Sequence, residues 1–111
     1  MSGKLIFHHR HKVNCHGEAP SLRDSQSLTQ INNFCYIFGG QGDNDQLFND
    51  LFLLDFDIIE SEKKFNATWK LIETKDSRPS KRTSHSAIAY KSKYLFIIGG
   101  EGYPIGIILI Y

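Results

Sequence analysis

Two short apolar runs stand at matching places in the chain. Phe34-Cys35-Tyr36-Ile37-Phe38 ends in Gly39-Gly40, and Tyr94-Leu95-Phe96-Ile97-Ile98 ends in Gly99-Gly100. Both are too short for helices and rich in aromatic and β-branched residues. They are apolar at consecutive positions, the pattern of strands covered on both faces. A segment of small and polar residues precedes each run, Ser25 to Ile31 and Ser84 to Tyr90, with a brief polar turn between. Each set therefore predicts a hairpin. Asn49-Asp50-Leu51-Phe52-Leu53-Leu54-Asp55 predicts a third strand and Trp69-Lys70-Leu71-Ile72-Glu73 a fourth. No segment sustains helical periodicity. The polar stretch Ile59 to Ala67 is the one place with room for a helical turn, and the connection from Phe56 to Thr68 reads as a long solvated loop.

The two hairpins belong to an internal repeat. Pro20, Ser21, Arg23, Ser25 and Ser27 recur as Pro79, Ser80, Arg82, Ser84 and Ser86, whereas Ile37, Gly39, Gly40 and Gly42 recur as Ile97, Gly99, Gly100 and Gly102. The spacing grows by one residue between these groups, where Asn32-Asn33 faces Lys91-Ser92-Lys93. A hairpin loop is where such an insertion costs least. Four strands per unit, covered on both faces and repeating at this spacing, predict β-propeller blades stacked around an axis. The innermost strands crowd that axis, which suits Ser84, Ser86, Ala87 and Ala89. The glycine pairs suit a strand end that needs positive φ.

This ordered set of motifs resembles the kelch repeat family, whose pattern is Pro-x-x-Arg-x-x-His-Ser, an apolar run into Gly-Gly, then Asn-Asp, an aromatic and a Trp. The second copy carries Pro79, Arg82, His85-Ser86 and Gly99-Gly100. The first carries Pro20, Arg23, Gln26-Ser27, Gly39-Gly40, Asn49-Asp50, Phe52 and Trp69, with Gln26 in place of the usual His. The resemblance implies an all-β fold: kelch-type β-propeller blades of four antiparallel strands, in an incomplete propeller of about two blades. It divides the chain into residues 1–19, an outer strand of a preceding blade with an N-terminal extension; residues 20–78, a first repeat; and residues 79–111, a second, truncated repeat. Ile107 to Tyr111 is a candidate third strand of that second repeat. Two blades cannot close a ring, since propellers use about four to eight. The expectation is a fragment, or a chain that assembles with further blades, exposing Phe38, Phe52 and Ile97 on open sheet faces.

Composition narrows the function. The 111 residues are 41% hydrophobic and 23% charged, as in globular domains, with a formal net charge of +1. That balance argues against nucleic acid and anionic membranes as partners. Cys15 and Cys35 read as reduced thiols in a cytoplasmic or nuclear setting. Asn66-Ala67-Thr68 matches a glycosylation sequon but reads as a polar turn.

Candidate chemistry is sparse. His8, His9, His11, Cys15 and His16 are ligand types without zinc-motif spacing and read as an exposed outer strand. Gly42-Asp43-Asn44-Asp45-Gln46 fails as a calcium loop because Phe48 and Leu54 occupy the positions that need Gly and Glu. Gly39-Gly40-Gln41-Gly42 precedes neither a helix nor a phosphate-binding lysine. His85 alternates in direction with Ser84 and Ser86 along a strand, so it does not activate either hydroxyl. No metal, cofactor or catalytic residue is assigned. The resemblance gives Arg23, Gly39, Gly40, Trp69, Arg82, His85, Gly99 and Gly100 structural roles.

The connections on one face carry the binding candidates: Gln41, Asp43, Asn44 and Asp45 in one loop, Arg78 and Lys81 in another, and Glu101 and Tyr103 in a third. Their mixed charge suits a protein or peptide partner. The expected function is a non-enzymatic protein–protein interaction module, a scaffold or adaptor segment. The alternatives are part of a propeller enzyme with a metal centre, or a truncated product with no independent function.

Overall fold

The computed structural model describes residues 11–73 and 78–102, and the backbone of residues 107–110. Ten strands follow in chain order: β1 (Asn14–His16), β2 (Ser27–Ile31), β3 (Phe34–Phe38), β4 (Leu51–Ile59), β5 (Lys64–Ile72), β6 (Arg82–Thr83), β7 (Ser86–Tyr90), β8 (Tyr94–Ile98), β9 (Glu101–Gly102) and β10 (Ile107–Ile110). The first blade is a sheet in the order β1-β5-β4-β3-β2. The second is β10-β8-β7, accompanied by the small β6-β9 pair. Within the described residues the fold is all-β, with two short 3-10 turns and no helix long and apolar enough to cross a membrane.

The two hairpins have the predicted register. Ser27 to Ile31 pairs antiparallel with Phe38 to Phe34, and Ser86 to Tyr90 with Ile98 to Tyr94. The loops differ by one residue, as the shift in repeat spacing requires. Asn32 adopts φ 56° in the shorter loop, while Lys91 and Ser92 adopt φ 54° and 49° in the longer one. Asn enters this left-handed region at least cost among non-glycine residues, because its short side chain hydrogen-bonds locally. β10 pairs with β8, completing three strands of the second blade.

Three expectations need correction. Phe56 to Thr68 is not a loop. β4 and β5 pair continuously from Leu51↔Ile72 to Ile59↔Lys64 and turn through a 3-10 stretch at Glu60–Glu62. Lys63 closes that turn at φ 51°. Polar residues occupy paired strand positions in this hairpin: Asp55 and Lys70 pair at 3.7 Å on the strands themselves, and the sequon residue Asn66 lies within β5, not in a turn. Second, Asn14–His16 is hydrogen-bonded in parallel to Asn66–Thr68 of the first blade. It satisfies open backbone groups along β5 that would otherwise form the sheet edge. Third, Phe38, Phe52 and Ile97 are buried.

The reason is the packing of one blade on the other. Cross-strand partners share a face, so Phe38 and Leu51 lie on one side of the first blade. That side packs on Leu95, Ile97 and Ala87 of the second blade. Ile97 has no exposed surface and Phe38 is 1% exposed. Phe52 lies on the opposite side and is covered within its own blade, edge-on to Trp69. The core is therefore a seam between blades, with β2 beside β7 at its inner end.

Candidate functional site

The Gly39-Gly40 pair sits at the top of this seam, where a side chain has no room. Gly39 has φ 68° and Gly40 φ 105°. A Cβ on Gly39 would lie 2.8 Å from the Arg82 carbonyl oxygen, and one on Gly40 2.8 Å from that of Asp24. The close approach allows the Gly40 N–H to donate to the Arg82 carbonyl at 2.9 Å, and the Arg82 N–H to donate to Phe48 at 3.1 Å. The Gln41–Phe48 loop and the segment around Lys81 are thus held side by side through their backbones.

Each repeat uses its arginine to lock its own strand end. Arg23 donates through Nη1 to the Gly39 carbonyl at 3.2 Å, and Arg82 donates likewise to Gly99 at 3.1 Å. Arg23 also grips both Asp50 oxygens. Its guanidinium lies 3.8 Å from the centre of the Phe48 ring. An Arg fork can hold a carboxylate, a carbonyl and an aromatic face at once, which a lysine ammonium cannot. A groove of 370 Å³ opens beside this cluster, walled by Arg23, Asp50, Phe52 and Trp69.

His85 is buried at the inner end of the seam. Its Nε2 lies 2.8 Å from Ser27 Oγ, and its ring meets Phe38 edge-on at 5.3 Å. Burial lowers its pKa below the usual histidine value, and the Arg82 charge adds to the shift. The nearby Phe38 backbone opposes it. A neutral imidazole therefore fills the joint.

The loop candidates divide into groups. Gln41 bridges to Asp24 and to Leu47 through the backbone, and its side-chain amide donates to Asp45 at 2.8 Å. Asp43, Asn44 and Asp45 form an exposed 3-10 turn, with Asn44 and Asp45 both at positive φ. Arg78 and Lys81 are exposed on either side of Pro79, which is buried and accepts a hydrogen bond from Asn49 at 3.1 Å. Glu101 is exposed on β9, paired with Thr83. Backbone contacts bring the first two groups to one rim. No hydrogen bond or ion pair joins the charged side chains of one group to those of another among the described residues.

Tyr103 lies outside the described residues, as do His8 and His9. Trp69 is half-buried against Phe52, and Gly99 and Gly100 end β8 with φ 70° and 92°. The described cysteines are free, with Cys15 exposed, and His11 stacks on Phe65 at 4.2 Å. No three His, Cys, Asp or Glu side chains converge among the described residues. The residues that sequence reasoning undervalued are Phe48, Asp50 and Ser27. Asn49-Asp50 was visible as a motif, but its partner Arg23 lies 27 residues away.

Comparison with known proteins places the seam and rim in a wider context. A family model described as the KLHDC2/KLHL20/DRC7 Kelch-repeats domain matches residues 6–106. Acyl-CoA-binding domain-containing protein 5 of Arabidopsis thaliana is 36% identical over 77% of the chain. Rho GTPase-activating protein gacHH of Dictyostelium discoideum is 38% identical over 77%, and the dynein alpha chain of the flagellar outer arm of Chlamydomonas reinhardtii 36% over 78%. The matched segment spans 12%, 5% and 2% of those three proteins, respectively.

Proposed function

The chain belongs to the kelch-repeat family, and from that premise we propose that it works as a non-enzymatic protein–protein interaction segment, presenting its loop rim to a protein or peptide. The observation that carries this reading is the bracing of the Asp43–Asp45 turn. Gln41 is held to Asp24 and Leu47, Phe48 donates to Gly40 at 3.0 Å, and Arg82 donates to Phe48, so the acidic tip projects from a fixed base. Loops on rigid scaffolds lose little conformational entropy on binding. Arg78 and Lys81 lie on the neighbouring segment and supply the opposite charge. The relatives point the same way: their names describe acyl-CoA binding, Rho GTPase activation and dynein, while a similar segment recurs in all three. A part shared by proteins so different contributes something other than any one of those activities.

Affinity capture with the whole chain and two charge reversals, Asp45→Lys and Arg78→Glu, tests the rim. The same captured proteins should be lost from both variants, with thermal midpoints unchanged. Identical capture by the parent chain and both variants refutes the assignment.

A further inference from the structure

Each repeat opens with the same local turn. The Ser21 carbonyl and hydroxyl both accept from Arg23, through Nε at 3.2 Å and Nη2 at 3.0 Å. Ser80 and Arg82 repeat that geometry at 3.2 Å and 2.9 Å. The serine therefore has a structural role common to both copies, and that role does not account for how the copies differ. Ala19 and Leu22 flank the first serine turn, whereas Arg78 and Lys81 occupy the equivalent places in the second. With Arg82, three of the five residues from 78 to 82 are cations. In the first copy Arg23 is held by both oxygens of Asp50.

The fold presents the cationic segment on the rim. Pro79 is buried and its carbonyl accepts from Asn49, and the Arg82 N–H donates to Phe48, so the backbone is anchored at two points. Residues 78–81 lie outside any strand, Arg78 and Lys81 are exposed, and Ser80 is half-buried. The Arg82 guanidinium is fixed by its bonds to the Ser80 and Gly99 carbonyls. Its Nη2 thus stands beside the Ser80 hydroxyl in a preset position. A guanidinium held in this way suits a phosphate group, which it meets with a planar fork and full charge.

We propose that Ser80 is a phosphorylation site, the acceptor of a phosphoryl group delivered from a nucleoside triphosphate by a protein kinase that selects serines among basic residues. Ser80 Oγ attacks the terminal phosphorus. The bond to the diphosphate leaving group breaks as the new O–P bond forms, and the hydroxyl proton passes to the base of the kinase. The product carries a charge of about −1.5 to −2 at pH 7, enough to cancel about two of the cations in the segment. The added oxygens take charge-assisted bonds from Arg82, with Arg78 and Lys81 close by in the chain. The same group on Ser21 would meet Asp50, with Glu18 on the same groove wall, and like charges oppose it there. Ser21 is the more exposed of the two serines, so charge and not access selects Ser80. Modification converts the basic side of the loop rim to neutral or acidic, beside Asp43 and Asp45. That consequence for binding rests on the interaction reading above, whereas the site itself rests on the segment's own geometry.

Treatment of the folded full chain with ATP and a kinase of this class tests the site, with tandem mass spectrometry locating the modified residue. Ser80 should be modified and Ser21 should not. Ser80→Ala should abolish incorporation and Ser21→Ala should leave it unchanged, with circular dichroism checking that both variants fold. Phosphorus NMR of the modified chain reads the surroundings of the added group. Its second ionisation should lie below about pH 6 in the folded chain and return to about that value in urea, because the neighbouring cations favour the dianion. Incorporation at Ser21 or another residue in place of Ser80, or none at all in the folded chain, overturns the proposal. A second ionisation that is the same folded and unfolded also overturns it, since Arg82 would then not meet the group. These readouts do not require the rim to bind anything, so a failed capture experiment leaves them intact.

Discussion

Replacing Ile97 by alanine probes the seam at its driest point. Ile97 is fully buried among Phe38, Leu51 and Leu95. The substitution removes three carbons, each worth about 0.8 kcal/mol of transfer free energy, or about 2.4 kcal/mol together. Close packing between two sheets limits collapse around the gap. The residual cavity therefore raises the cost to about 3–4 kcal/mol, within the range seen for large-to-small core changes. Leu22 is 95% exposed and provides the control, with an expected change within about 0.5 kcal/mol. Urea unfolding of both variants at one protein concentration reads the difference. With a slope of about 1.5 kcal/mol/M, Ile97→Ala lowers the midpoint by about 2 M, and Leu22→Ala hardly moves it. Equal midpoints for the two variants would show that the blades do not bury Ile97 between them, and the reasoning would fail.

Two further outcomes follow from the arginine and histidine geometry. Arg23→Met preserves bulk but strips the carboxylate of Asp50 and the Gly39 carbonyl of their shared donor, and should cost about 3 kcal/mol in the same assay; Arg23→Lys should recover only part of that loss. His85 has a lowered pKa in the folded chain, so the unfolded chain binds the extra proton more readily. Its contribution to stability is complete above about pH 6.5 and declines as the pH falls through the folded value. His85→Gln, which installs the residue found at the equivalent position 26, should flatten this part of the pH–stability curve; an unchanged slope would count against a neutral buried imidazole.

The hairpins were legible because several local signals agree at each of them. An apolar run of five residues, a polar turn and a glycine pair specify the same strand order whatever surrounds them. The long β4–β5 hairpin was less legible. Its distal half is solvated, so Asp57 and Lys64 look like loop residues although both lie in the paired ladder. Burial depends on which face meets a neighbour, and period-two alternation does not name the neighbour. Phe38 and Ile97 looked like open-face residues for that reason, although each covers the other's surroundings. At the rim, residue types could be read directly, since Asp43, Asp45, Arg78 and Lys81 lie in connections between strands. Their arrangement could not, because it rests on non-local bonds such as Arg82 to Phe48 and Asn49 to Pro79.

The stacking of the two repeats is tested most directly by proton NMR of the His85 ring. Its Cε1 faces the Gly39 α-carbon across the seam, close enough that a Cβ there would lie 2.9 Å away. Cross-relaxation from the imidazole to the Gly39 α-protons and to the Phe38 ring is the predicted result. Imidazole contacts confined to residues 79–102, with none to Ser27, Phe38 or Gly39, would contradict the shared seam.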